Sequence, residues 1–388
     1  MKTASSAALL TLSLFALAAV SGCTAAAGEP TENAESSEQD LIGGRAGAVY
    51  TLSNEAAANQ LIVFRRAANG TLEQASTHAT GGKGSGDGLG SQGAVVLSED
   101  KHWLFAVNAG SDELSVFYVA GELLYLVDCV PSRGARPISV TVHGDLAYVL
   151  NAGRDAAPGS ISGFRLTSSG LQHISGSIRP LSGAAVGPAQ VSFSPSGRAL
   201  LVTEKGTNKI DEFRVDGTGR ASLATVHAST GTTPFGFAIT RRGQAIVSEA
   251  FGGAPDAGAV SSYQLGAAAG LAPVSASVAD TESAPCWVVL AKNDRFAYVS
   301  NTASGSISTY RVALDGSVTL VSPDGRSADT GVGSKPIDMA LTRNDGLLYV
   351  LDSGTAQISA FGVGSGGALL PAGTTSGLPA TAVGLAAY

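Results

Sequence analysis

Across residues 41–388 short apolar stretches alternate with glycine-rich and polar turns, and one pattern returns seven times: an aliphatic residue, two others, then an aromatic. The pairs are Leu61/Phe64, Leu114/Phe117, Ile161/Phe164, Ile210/Phe213, Val260/Tyr263, Ile307/Tyr310 and Ile358/Phe361, with successive aromatics 47 to 53 residues apart. Ahead of each pair lies an apolar strand ending in a polar residue: Asn54, Asn108, Asn151, Glu204, Glu249, Asn301 or Asp352. Behind most lies a glycine a few residues before another aliphatic. Alternation of period two, with no helical period, makes each unit four short strands. The stretch 284–320 shows them all: strand A at 287–290, strand B at 296–301, strand C at 306–312 and strand D at 316–320.

A four-stranded unit repeating near 50 residues is a propeller blade. The two ends complete the count. The chain enters the repeat at a strand B, 49–54, with no strand A before it, and finishes at 378–385 with a strand A that has no strand B behind it. Joining them makes one blade and removes the open edges of a linear array. The prediction is an all-β, seven-bladed propeller with four antiparallel strands per blade, one domain over 41–388, expected to be monomeric.

Composition agrees and narrows the partners. Fifty glycines against 12 Phe, 9 Tyr and 2 Trp suit many tight turns, and 44% apolar with 14% charged residues excludes a disordered chain. A formal net charge of −7 leaves no basic footprint for a nucleic-acid backbone. The first 22 residues read as an export leader: Lys2 is the positive end, and 7–20 is an apolar run broken only by Thr11 and Ser13. Val20-Ser21-Gly22-Cys23 has the form of a bacterial lipobox, so Cys23 is the expected lipidation site and the lipid the only membrane contact. An extracytoplasmic, envelope-anchored protein follows, with simple secretion as the alternative. Residues 23–40 carry five acids and almost no large apolar side chain, and read as a flexible acidic tether. Cys129 and Cys286 fall on different blades and are expected to stay unpaired.

Tyr298-Val299-Ser300-Asn301, the turn Ser194-Pro195-Ser196-Gly197, the proline opening five of the seven A strands, and Ile307-x-x-Tyr310-x-Val312 resemble the YVTN-type repeats of the lactonase propellers. That family includes proteins similar to 6-phosphogluconolactonase and the carboxymuconate-lactonizing enzymes. The resemblance implies lactone chemistry run by a Glu with a His and an Arg. Here the family's Gly-Pro-Arg-His reads Gly187-Pro188-Ala189-Gln190, so both cations are missing, while Glu204 matches the Glu.

Antiparallel strands bring the start of A, the end of B and the B–C loop to one face. An inner ring of Ala94, Ser139, Gln190, Gly236, Trp287, Asp338 and Thr381 is expected at the channel mouth, surrounded by the polar strand-B ends. Loops 154–160 and 251–259 and the glycine-rich stretch 81–93 are expected over the same face. Ligand-binding candidates are Gln190, Trp287, Phe235, Glu249 and Arg136, an amphipathic set able to stack on a ring and hydrogen-bond its edges. Catalytic candidates are Glu204 as acid/base and Asp338 as the group orienting the ligand. Against these stands packing: Trp287 as a channel plug and the outer ring as turn caps.

Gly88-x-Gly90-x-x-Gly93 fits a dinucleotide fingerprint in letters but precedes a strand where that motif needs a helix. No cofactor and no metal are expected. Three functions stay open: binding of a small molecule, glycan or envelope protein at the mouth, lactone hydrolysis or cyclisation outside the cytoplasm, and a purely structural propeller.

Overall fold

The computed structural model describes residues 47–121, 123–154, 157–266 and 270–388. The expected leader, Cys23 and the expected tether lie outside the described residues. Seven separate antiparallel sheets appear in chain order, each with its strands in the order A-B-C-D. The sixth blade, Pro285–Leu290, Phe296–Asn301, Ser306–Val312 and Val318–Leu320, follows the pattern read from its sequence, with a short second outer segment at Ala328–Asp329. Helical structure among the described residues is limited to two three-residue 3-10 turns, Phe251–Gly253 and Ser365–Gly367.

The repeated pair is the packing unit. All seven aromatics are at most 2% exposed and all seven aliphatics at most 1%. Burying each such side chain stabilises the fold by roughly 1.5–3 kcal/mol, so the motif is a strand-C core position and not a ligand site.

The ring closes as expected, since the C-terminal strand Val383–Ala387 pairs antiparallel with Gly47–Leu52. It starts later than the sequence suggests, because Pro379 to Ala382 forms a turn closed by the Ala382 amide on the Pro379 carbonyl. Thr381 therefore leaves the inner ring and donates to the Ser53 carbonyl at 2.6 Å. The second blade also departs: its inner strand is only Val95–Leu97, because the residues before it are used elsewhere. Among the described residues Cys129 and Cys286 are unpaired.

Candidate functional site

Five inner strands open with a proline that pairs with the last residue of its neighbouring strand B: Pro137 with Asn151, Pro188 with Glu204, Pro234 with Glu249, Pro285 with Asn301 and Pro336 with Asp352. The residue before each proline is left-handed: Arg136 at φ 56°, Gly187 at 59°, Thr233 at 58°, Ala284 at 57° and Lys335 at 49°. A left-handed residue other than glycine costs ~1–3 kcal/mol. The strain is held by a repeated hydrogen bond, the carbonyl of the pre-proline residue accepting from the first amide after strand B, as in Ala152 N to Arg136 O at 2.9 Å. This kink is what brings Arg136 to the mouth face.

The outer ring is buried and occupied by the protein. Glu204 accepts from the Ser182 amide at 3.0 Å, the Ser182 hydroxyl at 2.6 Å and the Thr207 hydroxyl at 2.6 Å. Glu249 accepts from the Gly231 amide at 2.8 Å, Thr230 Oγ1 at 3.0 Å and Ser277 Oγ at 2.5 Å. Asn151 meets Ser132 and Ser162 in the same way. Glu204, Glu249 and Asn151 thus pin the chain that returns from a strand D, whereas Asn301 donates to Ser306 and Ser308 of its own strand C. Beside Glu204, burial and that neighbouring carboxylate push Asp211 up to about 8.

The inner ring is organised by a feature the sequence reading placed above the face. Residues 88–93 drop into the channel and cross it. Ser91 Oγ donates to the Ile138 carbonyl at 2.8 Å in the third blade, and the Gln92 amide donates to Ala189 O at 3.0 Å in the fourth. In the sixth, the Gln92 side chain copies a backbone pair, donating to Val288 O at 2.7 Å and accepting from Val288 N at 3.0 Å. Gly236 in the fifth blade makes room for it, as a Cβ there would lie 2.2 Å from Gln92 Oε1. Gly90 and Gly93 supply the positive φ, 59° and 87°, that the crossing needs. The spacing that imitates a nucleotide motif therefore makes a plug.

The plug divides the inner-ring candidates Trp287, Gln190 and Asp338. Trp287 lies above it, 4% exposed, with its indole N–H donating to Ser91 O at 3.0 Å and its ring 4.9 Å from that of Phe235. Gln190 lies below, both side-chain ends taken by Phe237: the Phe237 amide donates to Oε1 at 2.7 Å, and Nε2 donates to the carbonyl at 3.0 Å. Asp338 borders a cavity on each side, of about 320 Å³ above and about 280 Å³ below. Its carboxylate accepts from the Gly384 amide at 2.8 Å, and burial raises its pKa to about 7 against the pull of the Gly384 and Gly93 amides.

Lys205 was not singled out by the sequence, where it is only the residue after a strand. Its ammonium sits 4.4 Å over the Phe235 ring and donates to the plug's Gly90 carbonyl. Burial, with Arg136 adding to the fall, lowers it to about 8. On the same face a cleft of about 800 Å³ runs over the second to fourth blades, lined among others by Asp87, Arg136, Arg154 and Gly159. Arg154 is committed to Asp112 through two 3.1 Å contacts. The Arg136 guanidinium has no hydrogen-bond or ion-pair partner among the described residues, although its backbone amide is held by Asp112 at 2.7 Å. Glu204 and Glu249 line none of these three cavities.

Among solved structures, a protein from Lactobacillus plantarum superposes with a TM-score of 0.70 at 16% identity, covering 88% of this chain and 99% of its own. A periplasmic gluconolactonase of Pseudomonas aeruginosa gives 0.68 at 16%, covering 87% and 98%. A candidate 6-phosphogluconolactonase of Bacteroides fragilis gives 0.66 at 17%, covering 89% and 98%. These likenesses show the fold. Among curated proteins none matches significantly. The family model described as lactonase, 7-bladed beta-propeller, matches residues 46–178, 165–251 and 245–382. Those segments take in every blade, and the chain belongs to the lactonase family of seven-bladed β-propellers.

Proposed function

We propose that this propeller binds a small carboxylate-bearing molecule, of the hydroxy-acid or lactone class, in the cleft over its second to fourth blades. One observation carries the reading: Arg136 brings a guanidinium without a partner among the described residues to a cleft of about 800 Å³ at the mouth, and a planar guanidinium recognises carboxylate with two parallel hydrogen bonds. Binding is favoured over hydrolysis because the oxygens of Glu204 are held by Ser182 and Thr207. Calorimetric titration of the full chain with gluconate tests it. Arg136→Ala should weaken binding at least tenfold, about 1.4 kcal/mol. Equal affinity in wild type and variant would end the proposal.

A lactone hydrolase is the second reading, favoured by the family and by Asp338, an acid with a pKa of about 7 on the upper cavity. Such a pKa suits proton transfer near neutral pH. Loss of gluconolactone turnover in Asp338→Asn, with gluconate affinity retained, would select it.

Export and lipid anchoring at Cys23 complete the proposal. The leader pattern supports them, as does the periplasmic setting of one structural neighbour.

A further inference from the structure

The face opposite the cleft carries a cavity of its own. The cavity of about 280 Å³ below the plug opens among the A–B turns and is lined by Gln92, Lys101, Thr141, Gln190, Ser192 and Asp338, among others. Lys101 belongs to the A–B turn of the second blade. Lys292 and Arg343 hold corresponding places in the sixth and seventh, where the Lys292 ammonium donates to the Arg343 carbonyl and joins the two turns.

Around Lys101 the neighbouring cations act more strongly than the neighbouring carboxylates. Burial lowers the Lys101 pKa, and the next two influences are the cations Lys292 and Arg343, ahead of Glu99 and Asp100. Asp100 is engaged in its own turn, accepting from Ser98 Oγ at 2.5 Å and the His102 amide at 3.0 Å. Asp345 accepts from the Lys292 amide at 2.6 Å. Asp338 closes the far end and is met by the Gly384 amide. The Lys101 ammonium has no hydrogen-bond or ion-pair partner among the described residues. The amides of Gln92 and Gln190 are both used on backbone, and the Ser192 hydroxyl donates to the Phe193 carbonyl at 3.4 Å, which leaves Lys101 and the Thr141 hydroxyl, an acceptor from the Phe193 amide, as the donors free to meet a guest.

We propose that this lower channel mouth is a binding site for a small oxyanion, phosphate or a short carboxylate, held by Lys101 and drawn in by Lys292 and Arg343. Like charges at a concave, low-dielectric opening focus the field and raise the local concentration of the opposite ion. At ~30 Å³ per water molecule the cavity has room for about nine waters, enough for a tetrahedral phosphate with part of its hydration. The site is separated from the Arg136 cleft by the plug, so the two proposals stand or fall independently.

Calorimetric titration of the full chain with inorganic phosphate, and separately with acetate, is the test. A saturable site is expected, with affinity at least tenfold weaker in Lys101→Met and weakened in Arg343→Ala. Thermal melts of the variants should match wild type, because methionine keeps the lysine stem and the turn. No saturable heat from either anion up to about 10 mM, or equal affinity in wild type and Lys101→Met, would overturn the proposal. Loss of binding in Arg136→Ala with Lys101→Met unaffected would also overturn it, by moving the anion to the upper cleft.

Discussion

Trp287 donates from its indole nitrogen to the carbonyl of Ser91, 3.0 Å away and 196 positions earlier in the chain. That contact explains the uneven inner ring. A seven-bladed ring leaves an axial hole, and here one wide side chain and one crossing segment fill it, with glycine at Gly236 where the crossing passes closest. The aromatic whose inner-ring position suggested a stacking platform for a ligand ring is packed against Phe235 and the plug.

Trp287→Ala should therefore destabilise the propeller by ~3–5 kcal/mol, as for other buried tryptophans. Trp287→Phe, which keeps most of the packing and loses the hydrogen bond, should cost about 1 kcal/mol. Denaturant unfolding measures both. A Trp287→Ala protein as stable as wild type would show that the plug does not depend on this ring.

Asp338 gives a pH dependence of defined sign. Its folded pKa, about 7, lies above the ordinary carboxylate value, so its contribution is fully present below the unfolded pKa of about 4 and is lost as pH rises through 7. The slope for one group is at most about 1.4 kcal/mol per pH unit. Asp352, also raised to about 7 by burial, adds in the same sense. In Asp338→Asn the loss between pH 4 and 7 should be shallower than in wild type, and the two curves should run parallel above about 8. Identical slopes throughout would place the Asp338 titration elsewhere.

Gly384 is the weak point of ring closure. It is left-handed at φ 73°, and a Cβ there would lie 2.8 Å from Val95 Cγ2 and 2.9 Å from the Val95 amide nitrogen in the next blade. Gly384→Ala should cost ~1–3 kcal/mol from overpacking and strain. Removing 378–388 takes away the strand that pairs with Gly47–Leu52. The loss should exceed a domain's usual margin of ~5–15 kcal/mol. Cooperative melting of that truncation at the wild-type temperature would refute closure by this strand.

Cys23 is expected to carry the lipid. Metabolic labelling with a radiolabelled fatty acid in a bacterial host should mark the wild-type chain and leave Cys23→Ala unmarked. Equal labelling of the two would remove the anchor from the proposal.

The amino-acid sequence by itself determined the architecture, because blade identity is a local property. An aliphatic three residues before an aromatic, a proline at the start of five of the seven A strands and a glycine behind most of the pairs specify strand, face and turn within about 50 residues. Seven copies leave little room for another ring. Closure was legible for the same reason, as half-blades at both ends have one way to satisfy their edges. Tertiary structure alone decided which ring residues remain open to a ligand. Whether Gln190 is spent on Phe237, Glu204 on Ser182, or Trp287 on Ser91 depends on segments from other blades that meet only in the closed ring. The plug was hidden most completely. Gly88, Gly90 and Gly93 state that the backbone bends and approaches something closely, and nothing in their spacing says that what they approach is the channel wall on the far side of the ring.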